Sequence, residues 1–123
     1  MRIHIAARRE QRRRARFVAD GLEDSGHKVV SRWIRGTTGR TPAEDEARFT
    51  ITDLTVADCV VFIAESAWEH KLVPGASERH VEFGYALRAG KRLCVLGPRE
   101  TNFCHLPQIE RFRTLKELVD ALR

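Results

Sequence analysis

The sequence has 123 residues, 42% of them hydrophobic and 32% charged, with a formal net charge of +5. That length suits one domain spanning residues 1–123 and leaves no room for a second, and no apolar run approaches the roughly 18 residues needed to cross a membrane. The positive charge is local: residues 1–40 hold 11 Lys or Arg against 4 Asp or Glu, a balance of +7, and the remainder balances at −2.

Ile3 to Ala7 is a short apolar run with β-branched residues, which predicts a first strand. From Arg9 the period changes. Ala15, Val18, Ala19 and Leu22 recur at three- and four-residue spacing, predicting a helix that buries this stripe and ends near Gly26 as a C-terminal cap. Arg8, Arg9, Arg12, Arg13, Arg14 and Arg16 then fall on its first turn and outer face. Such a cluster suits a nucleic-acid patch, a phosphate site or a solvated helix face, and composition does not choose among them. His27 to Ile34 predicts a second strand and Arg35 to Arg40 a loop. In Thr41-Pro42-Ala43-Glu44, Thr41 can cap a helix, Pro42 sits where its missing N–H costs nothing, and Glu44 can complete a capping box. That helix is expected to run to about Val56.

Cys59 to Ala64 is almost continuously apolar, as in a strand covered on both faces, and is expected at the centre of a parallel sheet. A polar loop over Glu65 to Ala76 leads to a helix from Ser77 to Ala89 closed by Gly90, then a strand from Leu93 to Leu96 broken by Gly97-Pro98. An irregular stretch follows to about Pro107, and Thr114-Leu115-Lys116-Glu117 opens a last helix with a second capping box. Alternating strands and helices predict a three-layer α/β sandwich around a parallel sheet of four to five strands. Ligands bind such sheets at the carboxyl ends of the strands, which singles out Ala7 to Arg12, Glu65 to Glu82 and Gly97 to His105.

Within His80-Val81-Glu82-Phe83-Gly84-Tyr85-Ala86, Glu82 lies in the first two turns of its helix, where the dipole keeps a carboxylate ionised and suits it to nucleophilic attack. Gly84 costs about 1 kcal/mol in a helix interior, which suggests a close backbone approach. The alternative is a solvated glutamate beside a packing glycine. His80-Val81-Glu82 also matches half of the zinc-deaminase signature, but no P-C-x-x-C follows, and the five histidines offer no other metal-ligand spacing. Neither a metal nor a cofactor is expected. Cys59, Cys94 and Cys104 are odd in number and without CxxC spacing, so small buried thiols are expected rather than disulfides or a thiolate zinc site. Arg8 and Arg9 follow the first strand where a phosphate meets a helix N-terminus, although the glycines of a Walker A or GxGxxG loop are missing. Neither a helix-turn-helix nor an aromatic platform is found, with Trp33 and Trp68 isolated, so a nucleic-acid partner is not expected. The start, Met1-Arg2-Ile3-His4-Ile5-Ala6, holds no apolar stretch of signal-peptide length, and a cytoplasmic location is expected.

Several segments together resemble the nucleoside 2-deoxyribosyltransferase-like superfamily, which includes the 2′-deoxynucleoside 5′-monophosphate N-glycosidases. They are Arg2 to Arg8, Gly26 to Trp33, Ala57-Asp58, Arg79 to Leu87, and Gly97 to Glu100 followed by Asn102-Phe103 and His105-Leu106-Pro107. The resemblance implies a flavodoxin-like, Rossmann-like sheet and a glutamate, here Glu82, that attacks C1′ of a deoxyribose and expels the nucleobase. A second base or water then resolves the glycosyl-enzyme. The pattern's first-strand tyrosine is His4 here, an expected partner of Glu82 and a candidate proton donor to the leaving base. Its sugar-binding aspartate is replaced by Thr50, with Asp53 one helical turn on as a substitute, and Ser77-Glu78 stands where Gly-Gly is common. Ala7, Arg8, Arg9, Ser77, Arg79 and His80 are the implied contacts to sugar or phosphate, and Trp33 and His105 those to the base. The partner is then a small nucleoside or nucleotide, and a homo-oligomer, dimer or larger, is implied. Because His4 and Thr50 depart from the pattern, a non-catalytic nucleotide-binding module on the same fold is the alternative.

Overall fold

A computed structural model describes residues 1–36, 41–66 and 78–123. Its strands are β1 (Arg2–Ala6), β2 (Lys28–Val29), β3 (Cys59–Ile63), β4 (Arg92–Leu96) and β5 (Ile109–Phe112); its helices are α1 (Arg12–Asp24), α2 (Ala43–Val56), α3 (Glu78–Arg88) and α4 (Leu115–Leu122). Every strand pair is parallel, in the order β2-β1-β3-β4-β5. The expected three-layer α/β sandwich is the observed architecture, and β3 lies at its centre with all five residues buried. No described helix is long and apolar enough to cross a membrane.

Strand alternation divides the core. Ile3, Ile5, Cys59, Val61, Ile63, Cys94 and Leu96 pack under α1 and α4, where Ala15, Val18, Ala19, Leu22, Leu118 and Leu122 cover them. On the opposite face Ala6, Val60, Phe62, Leu93 and Val95 meet Leu54 of α2 with Phe83 and Ala86 of α3. His4 has the register of Val60 and therefore the parity of this second face, which delivers an imidazole toward α3 from the middle of the sheet.

Several boundaries differ from the sequence-based expectations, each for a local reason. The predicted strand His27 to Ile34 pairs only at Lys28–Val29, and Arg32–Ile34 forms a 3₁₀ turn. Side chains replace the missing ladder: Ser31 Oγ accepts the Ile5 N–H at 2.6 Å, and Trp33 Nε1 donates to the Ile5 carbonyl at 2.9 Å. The first helix begins with a 3₁₀ turn over Arg9–Gln11, so α1 proper starts at Arg12. At α2 the Thr41 capping box is not formed; Pro42 occupies the N-cap, and Glu44, Asp45 and Glu46 in the first turn complement the dipole instead. The second box is formed, with Thr114 Oγ1 accepting from Glu117 N–H at 3.2 Å and the Glu117 carboxylate accepting from Arg113 N–H at 2.8 Å. Polar Glu110 and Arg111 hide the edge strand β5 from a pattern search, and Arg92 clamps Glu110 across the β4–β5 edge at 2.7 and 2.9 Å. Gly84 is exposed, and a Cβ there meets no described atom within 4 Å, so no close approach explains it.

Gly97 is the glycine that the fold does require. It has φ +116, and a Cβ there would stand 3.1 Å from the Ala64 carbonyl oxygen of the neighbouring strand end. Gly97→Ala is expected to lower the unfolding free energy by about 1–3 kcal/mol in urea titration. A loss under about 0.5 kcal/mol, the range of ordinary surface substitutions, would contradict this account of the β4 turn.

Candidate active site

A cleft of about 520 Å³ opens beyond the carboxyl end of β1, between α2 and the first turns of α3. Ala7, Arg8, Arg9 and Glu10 form one edge and Trp33 another; Glu46, Ala47, Thr50, Ile51 and Leu54 of α2 face Glu78, Arg79, Val81 and Glu82 of α3. Of the residues singled out from sequence, Ala7, Arg8, Arg9, Trp33, Arg79 and Glu82 line this cleft.

Glu82 is buried, and its Oε1 lies 2.6 Å from Nε2 of His4, whose side chain has no exposed surface. The other imidazole nitrogen, Nδ1, is 3.1 Å from Ser31 Oγ. Glu82 Oε2 makes no hydrogen bond among the described residues. A carboxylate with one oxygen anchored in a short, charge-assisted bond and the other unclaimed has a fixed orientation and a free electron pair, the requirements of a nucleophile. His4 itself does not line the cleft, and its two ring nitrogens face Glu82 Oε1 and Ser31 Oγ.

Behind the cleft lies a buried ionic chain. Arg8 Nε donates to Glu65 Oε1, while Arg79 Nη1 donates to Glu100 Oε2 at 2.7 Å. The two pairs are joined by the Glu65 N–H, which donates to Glu100 Oε1 at 2.8 Å, and by Arg79 Nη2, 3.9 Å from Glu65 Oε2. His80 Nε2 lies 3.0 Å from Glu100 Oε2, and the Arg79 guanidinium sits 5.2 Å from the Phe62 ring centre. Three groups come from strand ends, Arg8 after β1, Glu65 after β3 and Glu100 after β4, and two from the first turn of α3. Arg8 Nη1, Arg79 Nε, Arg79 Nη2 and Glu65 Oε2 make no hydrogen bond among the described residues. Buried donors without acceptors are costly to leave so.

The arginine cluster is thereby redistributed. Arg8 is buried against Glu65, Arg12 and Arg16 both donate Nε to the Ile34 carbonyl at 3.0 and 2.9 Å, and Arg13 and Arg14 are exposed. Of the cluster, Arg13, Arg14 and Arg16 are exposed, as on a solvated helix face, while Arg12 and Arg16 also fasten α1 to the Arg32–Ile34 turn. Arg9 stacks its guanidinium 4.9 Å from the Trp33 ring centre and lies 3.9 Å from Glu46.

Other predicted contacts are placed elsewhere. Asp53 is buried, but Arg32 N–H and Nε donate to its two oxygens at 3.1 and 2.9 Å, and it does not line the cleft, whereas Thr50 does. His105 is exposed in the Asn102–His105 turn and is not part of the cleft wall. His80 reaches Glu100 and not the cleft. Ser77 and Trp68 lie outside the described residues. Sequence reasoning missed Ser31, Glu65 and Glu100 as partners. The one available signal was Glu65 directly after the apolar Cys59 to Ala64 segment, which in sequence looks like ordinary loop charge.

Cys59, Cys94 and Cys104 are free and buried, as expected. Cys94 is pushed up from its ordinary range by its hydrogen bond with Cys59, 3.9 Å away, and by burial, which keeps this thiol protonated and unreactive. No group of three or more His, Cys, Asp or Glu among the described residues is disposed to hold a metal ion.

No family model and no curated protein matches this sequence. Among solved structures, the chain is similar to the CMP N-glycosidase BcmB of Clostridium botulinum, with a TM-score of 0.70 and 16% identity over 99% of this chain and 98% of that one. It is also similar to a 2-deoxyribosyltransferase of Bacillus psychrosaccharolyticus, with a TM-score of 0.72 and 17% identity over 98% of this chain and 91% of that one. The resemblance to the nucleoside 2-deoxyribosyltransferase-like superfamily is thus supported at the level of the fold.

Proposed function

We propose that this chain is an enzyme acting on the N-glycosidic bond of a 2′-deoxynucleoside or its 5′-monophosphate, with Glu82 as the nucleophile. The observation that carries the proposal is the Glu82 carboxylate on the cleft wall, with one oxygen held by His4 at 2.6 Å and no other hydrogen bond to it among the described residues. In the proposed reaction Oε2 forms a bond to C1′ as the C1′–N bond breaks, and the electron pair leaves with the base. An anion on one face of the sugar stabilises the oxocarbenium-like transition state, as in retaining glycosidases. Water then gives the free sugar, or a second base gives a new nucleoside, and Glu82 is regenerated. Arg9 on the cleft edge is proposed to meet sugar or phosphate oxygens, and Trp33 to supply an aromatic wall for the base. A homo-oligomer belongs to this proposal.

The test is incubation with a panel of 2′-deoxynucleosides and their 5′-monophosphates, scoring free base by chromatography. Base release from at least one member is expected. Ligand-dependent rises in melting temperature with no release anywhere would establish the non-catalytic binding module instead, which the departures at His4 and Thr50 favour.

A further inference from the structure

We propose that Ser31 is a positioning residue that fixes the tautomer of His4 and, through it, the hydrogen bond that orients Glu82. Ser31 is buried, and its Oγ accepts the Ile5 N–H at 2.6 Å. A hydroxyl has one proton to give, and in this relay it goes to His4 Nδ1, 3.1 Å away. A donated hydroxyl proton requires Nδ1 to be the bare nitrogen, so a neutral His4 carries its proton on Nε2 and donates it to Glu82 Oε1 at 2.6 Å. The opposite tautomer would set an imidazole lone pair against a carboxylate oxygen at that distance, a repulsive contact.

The relay runs from a β1 amide through the Ser31 hydroxyl and the imidazole to the carboxylate. Because the predicted second strand stops at Val29, the Ser31 side chain, and not a backbone group, faces Ile5. The early end of β2 is what makes the relay possible. Ser31 does not line the cleft, so its effect on substrate passes through His4. The kinetic half of this inference rests on the proposed glycosidic reaction; the tautomer half does not.

The tautomer is read on the resting wild-type protein by ¹⁵N NMR of the histidine rings, assigned with His4→Gln. A single ring proton on His4, carried by Nε2, is expected. A proton on Nδ1, alone or together with one on Nε2, would overturn the inference whether or not any substrate is turned over. For the kinetic half, Ser31→Ala is expected to lower kcat roughly 10- to 100-fold with little change in KM, and Ser31→Thr to restore most of it. In a His4→Gln background, where the amide N–H₂ can still reach Glu82, Ser31→Ala should have no further effect on kcat. An equal loss in both backgrounds would mean that Ser31 only satisfies the Ile5 amide. Absence of base release by the wild type, with the Nε2 proton present, would sink the proposed reaction and leave the relay standing.

Discussion

Glu82→Gln is expected to lower the rate of base release at least about a thousandfold while leaving the fold intact, because it removes the proposed nucleophile without removing a hydrogen-bond acceptor. The amide oxygen of glutamine can still accept from His4 Nε2, which lies 2.6 Å from the present Oε1. What disappears is the negative charge facing C1′ and the oxygen that bonds to it. A melting temperature within about 5 °C of the wild type, a shift that corresponds to roughly 1 kcal/mol, would separate chemistry from folding. If Glu82 merely satisfied a buried histidine, the glutamine variant would do so too and activity would persist.

The second large effect is expected on stability. Glu65 is buried between two arginines, joined to Arg8 Nε by a hydrogen bond and with Arg79 Nη2 at 3.9 Å from its other oxygen. Arg79 has no exposed side-chain surface and Arg8 has 5%. Neutralising Glu65 strands part of that charge away from water, and breaking a buried pair from one side typically costs about 3–5 kcal/mol. Glu65→Gln is therefore expected to lose about that much in urea unfolding, a large share of the roughly 5–15 kcal/mol that holds a domain of this kind together. Glu110→Gln is the contrast: it also removes a carboxylate bonded to an arginine, but at a site where both side chains are more than a third exposed, so a loss under about 1 kcal/mol is expected. Equal losses at the two sites would show that burial is not what makes the Arg8–Glu65 pair important.

The site was legible in sequence where local pattern dictates it. The short apolar run of β1 and the longer one at β3 pointed to the sheet, and the early position of Glu82 in α3 marked it as a candidate. Its partner His4 was expected on resemblance, and strand parity explains how it arrives. What stayed hidden is what joins distant segments. Arg8 and Glu65 are separated by 57 positions, and Ser31 and His4 by 27. Nothing in a run of surface-type residues tells which charge will be buried once strand ends converge. The shortened β2 was hidden for a related reason: Val29 to Ile34 is apolar enough for a strand, but Ser31 and Trp33 compete successfully for the Ile5 amide and carbonyl. Asp53 shows the reverse error. Helical spacing put it one turn from Thr50, yet Arg32 claims its carboxylate.

The glycosyl-enzyme itself is the most direct object of measurement. Intact-protein mass spectrometry after rapid acid quench of the enzyme with a 2′-deoxynucleoside that it cleaves should show a mass increase of one deoxyribosyl group, or one phosphodeoxyribosyl group if a monophosphate is the substrate. Peptide mapping should place it on Glu82. An adduct on another residue, or base release at an undiminished rate by Glu82→Gln, would contradict the assignment of Glu82 as nucleophile.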